Sequence, residues 1–379
     1  MSRHLRFRLY IDNQPASREQ LERVEAITVE QEIGMAWEAR LEIPICLDRQ
    51  GRWNSTDNFL LRPFTRLRIE ISVRDDHFVP LIDGPIVDIN SRLRFEPGRS
   101  TLTLTVCDDS IFLNRHEEHF ALDEASDYEI ITKLFRRCEQ ISRTEIDDDL
   151  RDNGEDSLPF RANGTAMQVL LSLARIHDKH VYVLPGDYPG ESTGCCKALP
   201  SAPERQSDGL EPLVLLGEEA NIRDFDVDQD FSRPAEYAAA TVRIADKSVV
   251  ASSGSFRDRA LLGDTMALPA EQEPAHRILR PNPFDDRRPE RATAARAQAS
   301  GFALLASGAV IDGRYQDVLQ PYRLVTVQAG ETPLSGEYVI RQVTHSLGRS
   351  SYSQAFTLMR NATSETGGES PAEAARSLF

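Results

Sequence analysis

Leu319-Gln-Pro-Tyr322, Leu324-Val-Thr-Val327, Gly336-Glu-Tyr-Val-Ile340, Gly348-Arg-Ser350 and an alternating run through Tyr352, Phe356 and Leu358 follow one another between Tyr315 and Arg360. A looser copy lies between Leu61 and Cys107: Leu61-Arg-Pro-Phe64, Leu67-Arg-Ile-Glu-Ile71, Gly84-Pro-Ile-Val87, Gly98-Arg-Ser100 and Leu102-Thr-Leu-Thr-Val106. Leu319 lies 258 residues beyond Leu61, Gly336 lies 252 beyond Gly84, and Gly348 lies 250 beyond Gly98. The order is kept and the offset shrinks in one direction, as it does when the second copy has shorter hairpin loops. Apolar parity agrees, with Leu67, Ile69 and Ile71 falling on Val325, Val327 and Ala329. A period of two marks half-buried strands, and ordered self-similarity marks a structural unit used repeatedly. The chain carries one β unit twice.

At 379 residues the chain has room for two to four domains with sizeable cores. Its apolar content of 40% and charged content of 27% are those of a soluble globular protein. Asp and Glu number 60 against 44 Lys and Arg, a formal net charge of −16. That argues against specific nucleic-acid binding, which needs clustered cations to neutralise phosphates; solubility by self-repulsion accounts for the acidity. Five cysteines (Cys46, Cys107, Cys138, Cys195, Cys196) show no metal or disulfide spacing. Cys107 sits in a strand pattern and Cys138 in a helix pattern, as small apolar fillers. Cys195-Cys196 reads as part of a loop, with no CxxC or nearby His to support redox or metal chemistry. The start, Met1-Ser-Arg-His-Leu-Arg-Phe, has no apolar h-region, and no 18-residue apolar run occurs. Synthesis in the cytoplasm, without Sec export or membrane insertion, is expected.

Strands are expected at Leu5–Ile11, Val24–Glu32, Trp37–Pro44, Arg66–Arg74, Val79–Asn90 and Ser100–Cys107, with a loop at Gly51–Asp57. The period then changes. Ser126-Asp-Tyr-Glu129 and Thr165-Ala-Met-Gln168 are capping boxes that open two helices, the first through about Cys138 and the second to about His177. Val181–Leu184 reads as a strand, and Gly186–Gly209 as a surface excursion. Leu213–Leu216 and Tyr237–Ala245 return to β structure. Val249–Pro289, with five prolines and weak periodicity, reads as a long loop. Arg291–Ala306 reads as an Ala-rich helix, and Asn361–Phe379 as a tail.

Catalytic signatures are scarce. His116-Glu-Glu-His119 spaces its histidines by three where HExxH needs four, and a polar helix or loop start is expected there. In Ile146–Gly154, placing Asp149 first in a calcium loop puts Arg151 third and Phe160 at the closing Glu, so a solvated acidic loop is expected instead. There is no GxxxxGK[ST], no GxGxxG after a strand and no GxSxG. Acidic pairs abound, but nothing fixes two of them at glycosidase separation. His345 lies in an alternating strand and reads as a structural histidine. No catalytic, cofactor-binding or metal-ligating residue is nominated, and no cofactor.

Leu319-Gln-Pro-Tyr-Arg-Leu-Val-Thr-Val327, Ser335-Gly-Glu-Tyr-Val-Ile-Arg-Gln-Val-Thr-His345 and Tyr352-Ser-Gln-Ala-Phe-Thr-Leu-Met-Arg360 resemble the closing barrel of the phage late-control D family and of the hub portion of VgrG spikes. That family runs Leu-x-Pro-Gly-x-x-Val, then Gly-x-Tyr-x-Val-x-x-Val-x-His, then a strand ending in Arg. Here Tyr322 stands where the family often has Gly, and Ile340 directly follows Val339. Ile82–Val87, Leu102–Val106 with Asp108 and Leu113-Asn-Arg115, Ser126–Ile131, and Thr165–Ala174 resemble further family segments in the right order.

The resemblance implies a mainly β fold with an α/β insertion (α+β), two related tube-type β-barrels per chain, and a homotrimer forming a pseudo-six-fold ring. The expected division is 1–120 first barrel, 121–205 insertion, 206–362 second barrel with a long loop and helix at 249–306, and 363–379 flexible tail. The implied role is a non-enzymatic baseplate hub of a contractile phage tail or related injection particle. Its implied partners are the inner tube protein, a separate spike protein and other baseplate proteins. A separate spike chain is expected because no oligosaccharide-binding fold or long β-helix follows Arg360. Ser207–Asp230 and Val249–Pro289 are expected to be partner-binding loops, since contacts favour long loops. Two other classes stay open: a cell-wall-degrading tail enzyme, and a monomeric binding module on a β scaffold.

Overall fold

The computed structural model describes residues 6–46, 50, 62–74, 77–96, 98–122, 126–151, 160–201, 209–242, 247–280, 288–349 and 351–365. The loop expected at Gly51–Asp57 lies outside them. Strand β1 (Arg6–Ile11) turns through Asp12 and Asn13, both at positive φ, into β2 (Gln14–Pro15). Asp and Asn tolerate that left-handed backbone, and a two-residue turn built on it matches the twist of a hairpin. Helix α1 (Arg18–Arg23) and strands β3 (Ala26–Glu32), β4 (Glu38–Pro44), β5 (Arg66–Ser72), β6 (Val79–Arg92) and β7 (Thr101–Cys107) follow.

Helix α2 (Ser110–Leu113) and strand β8 (Glu117–Leu122) lead into α3 (Asp127–Phe135), β9 (Ile141–Ile146), β10 (Phe160–Thr165), α4 (Ala166–Ile176), β11 (Lys179–Pro185) and β12 (Ser192–Ala198). Both capping boxes form: the hydroxyls of Ser126 and Thr165 accept from the amides of Glu129 and Gln168, whose side chains accept from the cap amides in return. The first helix ends at Phe135, so Cys138 lies past it, buried. The excursion expected at Gly186–Gly209 is corrected. Residues 192–198 form β12, the central strand of a sheet with β11 and β9, and 202–208 lie outside the described residues. The run Ser192-Thr-Gly-Cys-Cys196 looks like a loop because its residues are small. They are small because α3 packs closely: a Cβ on Gly194 would sit 2.5 Å from the Phe135 ring.

The remainder runs β13 (Leu213–Val214), β14 (Ile222–Gln229), β15 (Ala235–Val242), β16 (Val249–Gly254), β17 (Thr265–Met266), β18 (Ala275–Ile278), α5 (Pro289–Ser300), β19 (Leu304–Val310), β20 (Leu324–Gln328), β21 (Gly336–Leu347), β22 (Tyr352–Arg360) and β23 (Ala362–Thr363). Val249–Pro289 is therefore not one long loop. β16 and β18 flank β15 in a small sheet, and β17 pairs with β23. The sheet lies so close on α5 that a Cβ on Gly254 would meet the Thr293 carbonyl at 2.6 Å, which is why that helix is built of alanine. The helix expected to reach Ala306 stops at Ser300, and Ala306 is buried in β19. The tail begins ordered: β23 holds Ala362 and Thr363, whereas 366–379 lie outside the described residues. No helix among the described residues is long and apolar enough to cross a membrane.

One large sheet runs β14-β19-β22-β21-β3-β4-β7-β6-β5-β1-β2, with β13 on β20 and β20 on β21. Its two halves repeat one another strand for strand. β3, β4, β5, β6 and β7 correspond to β14, β19, β20, β21 and β22: β3–β4 and β14–β19, β4–β7 and β19–β22, β6–β7 and β21–β22, and β5–β6 and β20–β21 are all antiparallel pairs. The outermost members differ, since β1 lies antiparallel to β5 while β13 lies parallel to β20. Each half has its own core, one around Val29, Leu41, Leu67 and Leu104, the other around Val325, Tyr338, Ile340 and Leu358. A third core fills the helical stretch around Ile130, Phe135, Leu170 and Val181.

Candidate assembly interface

The two halves share two irregularities that regular strands do not require. Phe64 and Tyr322 both hold positive φ, 64° and 66°. Phe64 N–H donates to the Ile86 carbonyl and Ile86 N–H to Thr65; likewise Tyr322 N–H donates to Ile340 and Ile340 N–H to Arg323. A β-bulge then follows at the same place. The register skips Val87 between Ile86 and Asp88 in one half, and Arg341 between Ile340 and Gln342 in the other. Bulges bend and twist a strand, so β6 and β21 are bent at equivalent points. Ile86 thus matches Ile340, and Gly84 falls on Tyr338 instead of Gly336. The glycines serve different needs. A Cβ on Gly84 would overlap the Cys107 carbonyl, while Gly336 has φ of +134°. The sequence also breaks alternation at Val339-Ile340 because both faces are covered there: Ile340 lies in the second core and Val339 packs with Leu199, Phe302 and Met359.

The halves join through β3 and β21, which pair antiparallel from Ile27 opposite Leu347 to Glu32 opposite Gln342. Beyond them Ile33 N–H donates to the carbonyl of the bulged Arg341. Ile27, Val29 and Gln31 face inward with Val343, His345 and Leu347, all buried. His345 Nδ1 lies 2.9 Å from Tyr352 Oη and its Nε2 lies 3.2 Å from Gln31 Oε1. The amide oxygen can only accept, so Nε2 carries the proton and Nδ1 accepts from the tyrosine. Gln31 Nε2 in turn donates to the Leu81 carbonyl at 2.7 Å. Burial pulls the imidazole pKa down to about 3, and the ring stays neutral. The histidine expected to be structural is a bridge between the two halves.

A buried ionic cluster fixes the helical stretch to the first half. Arg66 donates to both oxygens of Asp109, at 2.8 and 2.7 Å, and to Asp83 at 2.7 Å. Arg68 donates to Glu70, Asp83 and the Gly186 carbonyl. Gly190 N–H completes Asp83 and Ser192 Oγ completes Asp109, so the β11–β12 turn closes the cluster. Burial pushes the Asp83 carboxyl up from its ordinary range, against the attraction of Arg66. On the other half, Tyr322 stacks on Tyr182 with centroids 3.6 Å apart, and its Oη accepts from Gly34 N–H at 2.8 Å. Arg66, Arg68 and Glu70 share β5, but the other partners are far apart in sequence, so no local pattern reveals the cluster.

Residues singled out in the sequence sit elsewhere. His116 and His119 belong to an extended stretch entering β8, not to a helix, and His119 Nδ1 lies 2.6 Å from Asn163 Oδ1. Asp149 lies in a 3-10 turn and meets Lys179 at 3.0 Å alongside Asp147. Cys195 and Cys196 are buried in β12, and burial pushes both thiols up to about 12. Of the expected loop Ser207–Asp230, residues 222–229 are β14, a strand at the edge of the large sheet.

No protein-family model matches the chain, and no curated protein matches it in sequence. Solved structures do match. A 43 kDa tail protein of prophage MuSo2 from Shewanella oneidensis is 14% identical with a TM-score of 0.61, over 94% of this chain and 98% of that one. The tail protein from Neisseria meningitidis MC58 is 13% identical with a TM-score of 0.59, over 94% and 97%. A chain of the lidded Francisella PdpA–VgrG complex is 11% identical with a TM-score of 0.53; this chain is covered over 96% of its length and spans 54% of that one. The chain has the fold of phage tail proteins, a fold also present in a VgrG complex.

Proposed function

We propose that the protein is the baseplate hub of a contractile phage tail or related injection particle, joining a hexameric inner tube to a trimeric spike. Residues 1–120 and 206–362 are read as two tube-type barrels, 121–205 as an insertion and 363–379 as a tail. Three chains then give six near-equivalent barrels around one axis. Six places match the tube, three chains match the spike, and a head-to-tail contact that closes stops growth. The observation that carries this reading is the duplicated five-strand unit with its shared turn and bulge, in a chain with a tail-protein fold. The role is structural, and no catalytic step is assigned to the chain. Partners are the tube protein on one side, a separate spike chain on the other, and neighbouring baseplate proteins. Imaging the chain co-expressed with its tube protein tests this. End-on views with six lobes around a channel are expected; views showing isolated chains, with no tube protein retained, would overturn it.

A further inference from the structure

The seam between the halves is a template for a seam between chains. β3 pairs on one side with β4 and on the other with β21. Among the described residues its counterpart β14 pairs only with β19, and the counterpart of the 342–347 half of β21 is residues 88–93, of which 88–92 pair with β7 and with no other strand. Both edges are left open. We propose that β14 of one chain pairs antiparallel with residues 89–93 of a second copy, in the register that β3 and β21 hold internally. This rests on the ring reading above and supplies its contact.

Carrying the internal register across puts Phe225 opposite Leu93, Val227 opposite Ser91, Gln229 opposite Ile89, Asp226 opposite Arg92 and Asp228 opposite Asn90. On the inward face, the internal seam buries Leu347 and Ile27 to 3% and 2% exposure, whereas Leu93 stands 54% exposed and Phe225 half-buried. Phe231, 55% exposed, falls where Ile33 does, and its N–H would meet the bulged Val87 carbonyl. These apolar groups lack the cover their counterparts have.

The opposite face supplies charge. Asp224, Asp226 and Asp228 alternate along β14, and Arg92 and Arg94 along the other edge, all exposed. The internal seam has Thr28 and Ser346 where this one has Asp226 and Arg92. Tethered strands need no selection, but strands from separate chains do, and opposed charges provide it. Three aspartates also oppose pairing of β14 with another β14, since like charges across a ladder destabilise it. Asp88 facing Asp230 is an unfavourable pair at the end of the seam, where Gln342 faces Glu32 internally.

The test uses full-length chains with Cys46→Ser as background. Asn90→Cys with Asp228→Cys, oxidised and run without reductant, should give covalent dimers and trimers, while either cysteine alone should not. Arg92→Asp or Asp226→Arg should weaken association about ten-fold per seam, and the two together should restore it. Trimers by light scattering without cross-links, indifferent to both charge reversals, would overturn the register while leaving the ring intact. Monomers throughout would overturn both. Each variant lies at an exposed edge, and circular dichroism of the unassociated chain separates lost association from lost folding.

Discussion

Phe64 and Tyr322 hold one backbone conformation in two environments: Tyr322 stacks on Tyr182, while Phe64 stands 46% exposed with Arg115 4.7 Å over its ring. A left-handed non-glycine residue costs about 1–2 kcal/mol. At Phe64 an exposed cation–π contact, about 0.5–1 kcal/mol, and a tilted ring contact with Phe112 at 6.2 Å between centroids oppose that cost. At Tyr322 a buried stack and a hydrogen bond from Gly34 oppose it.

Glycine at the two positions should therefore give different results. Phe64→Gly is expected within about 1 kcal/mol of the parent, and Tyr322→Gly about 2–3 kcal/mol less stable. Urea unfolding of both variants measures the difference. Equal losses would mean that the tyrosine ring does not hold the insertion to the second half.

His345 makes stability depend on pH. Its folded pKa, about 3, lies below the ordinary 6.5, so the unfolded chain takes up the proton first and stability falls as pH drops from 6.5 toward 3. The neighbours facing the ring, Gln31 and Tyr352, are neutral throughout this window. His345→Gln removes the group. The advantage of the parent over this variant should narrow below pH 6.5 by up to about 1.4 kcal/mol per pH unit. An advantage that is flat from pH 7 to 4.5 would contradict the buried neutral bridge.

In the ionic cluster, Arg66→Met strands Asp109 and weakens the hold on Asp83, and is expected to cost about 3–5 kcal/mol. Replacing Asp109 by Leu in the same chain should recover part of that loss, because no carboxylate is left buried opposite the missing guanidinium. Thermal unfolding of the single and double variants reads the coupling. Additive losses would show that the two side chains act independently.

Thiol chemistry should follow burial. Cys46 is exposed, while Cys195 and Cys196 are sealed in β12 with raised thiol pKa values. A thiol reagent at pH 8 should label Cys46 quickly in the native protein and reach Cys195 and Cys196 only on unfolding. Fast native labelling of the pair would reinstate the loop reading of 186–209.

What the sequence discloses depends on how locally each feature is encoded. The strands of the second half were legible because Val325 and Val327 alternate with polar residues, and both capping boxes were legible because they span four residues. β12 and β16 were hidden by Ser, Gly, Ala and Cys, small because a helix packs on them closely. α5 and β19 merged in sequence because alanine runs through both; Gly301 and Phe302 separate them only once Phe302 is seen buried. The repeat is legible, but alignment on its glycines is off by two residues, since Gly84 and Gly336 answer different constraints. The seam of β3 with β21 and the Arg66 cluster join segments far apart in the chain, and no window contains them.

The central claim is that the duplicated unit exists to make a ring of three chains. Light scattering of the purified protein over a concentration series, with and without the trimeric spike protein, tests it most directly. Three chain masses, alone or on adding spike, is the expected result. A single chain mass at every concentration, unchanged by the spike protein, would contradict the claim and leave the duplication without a purpose.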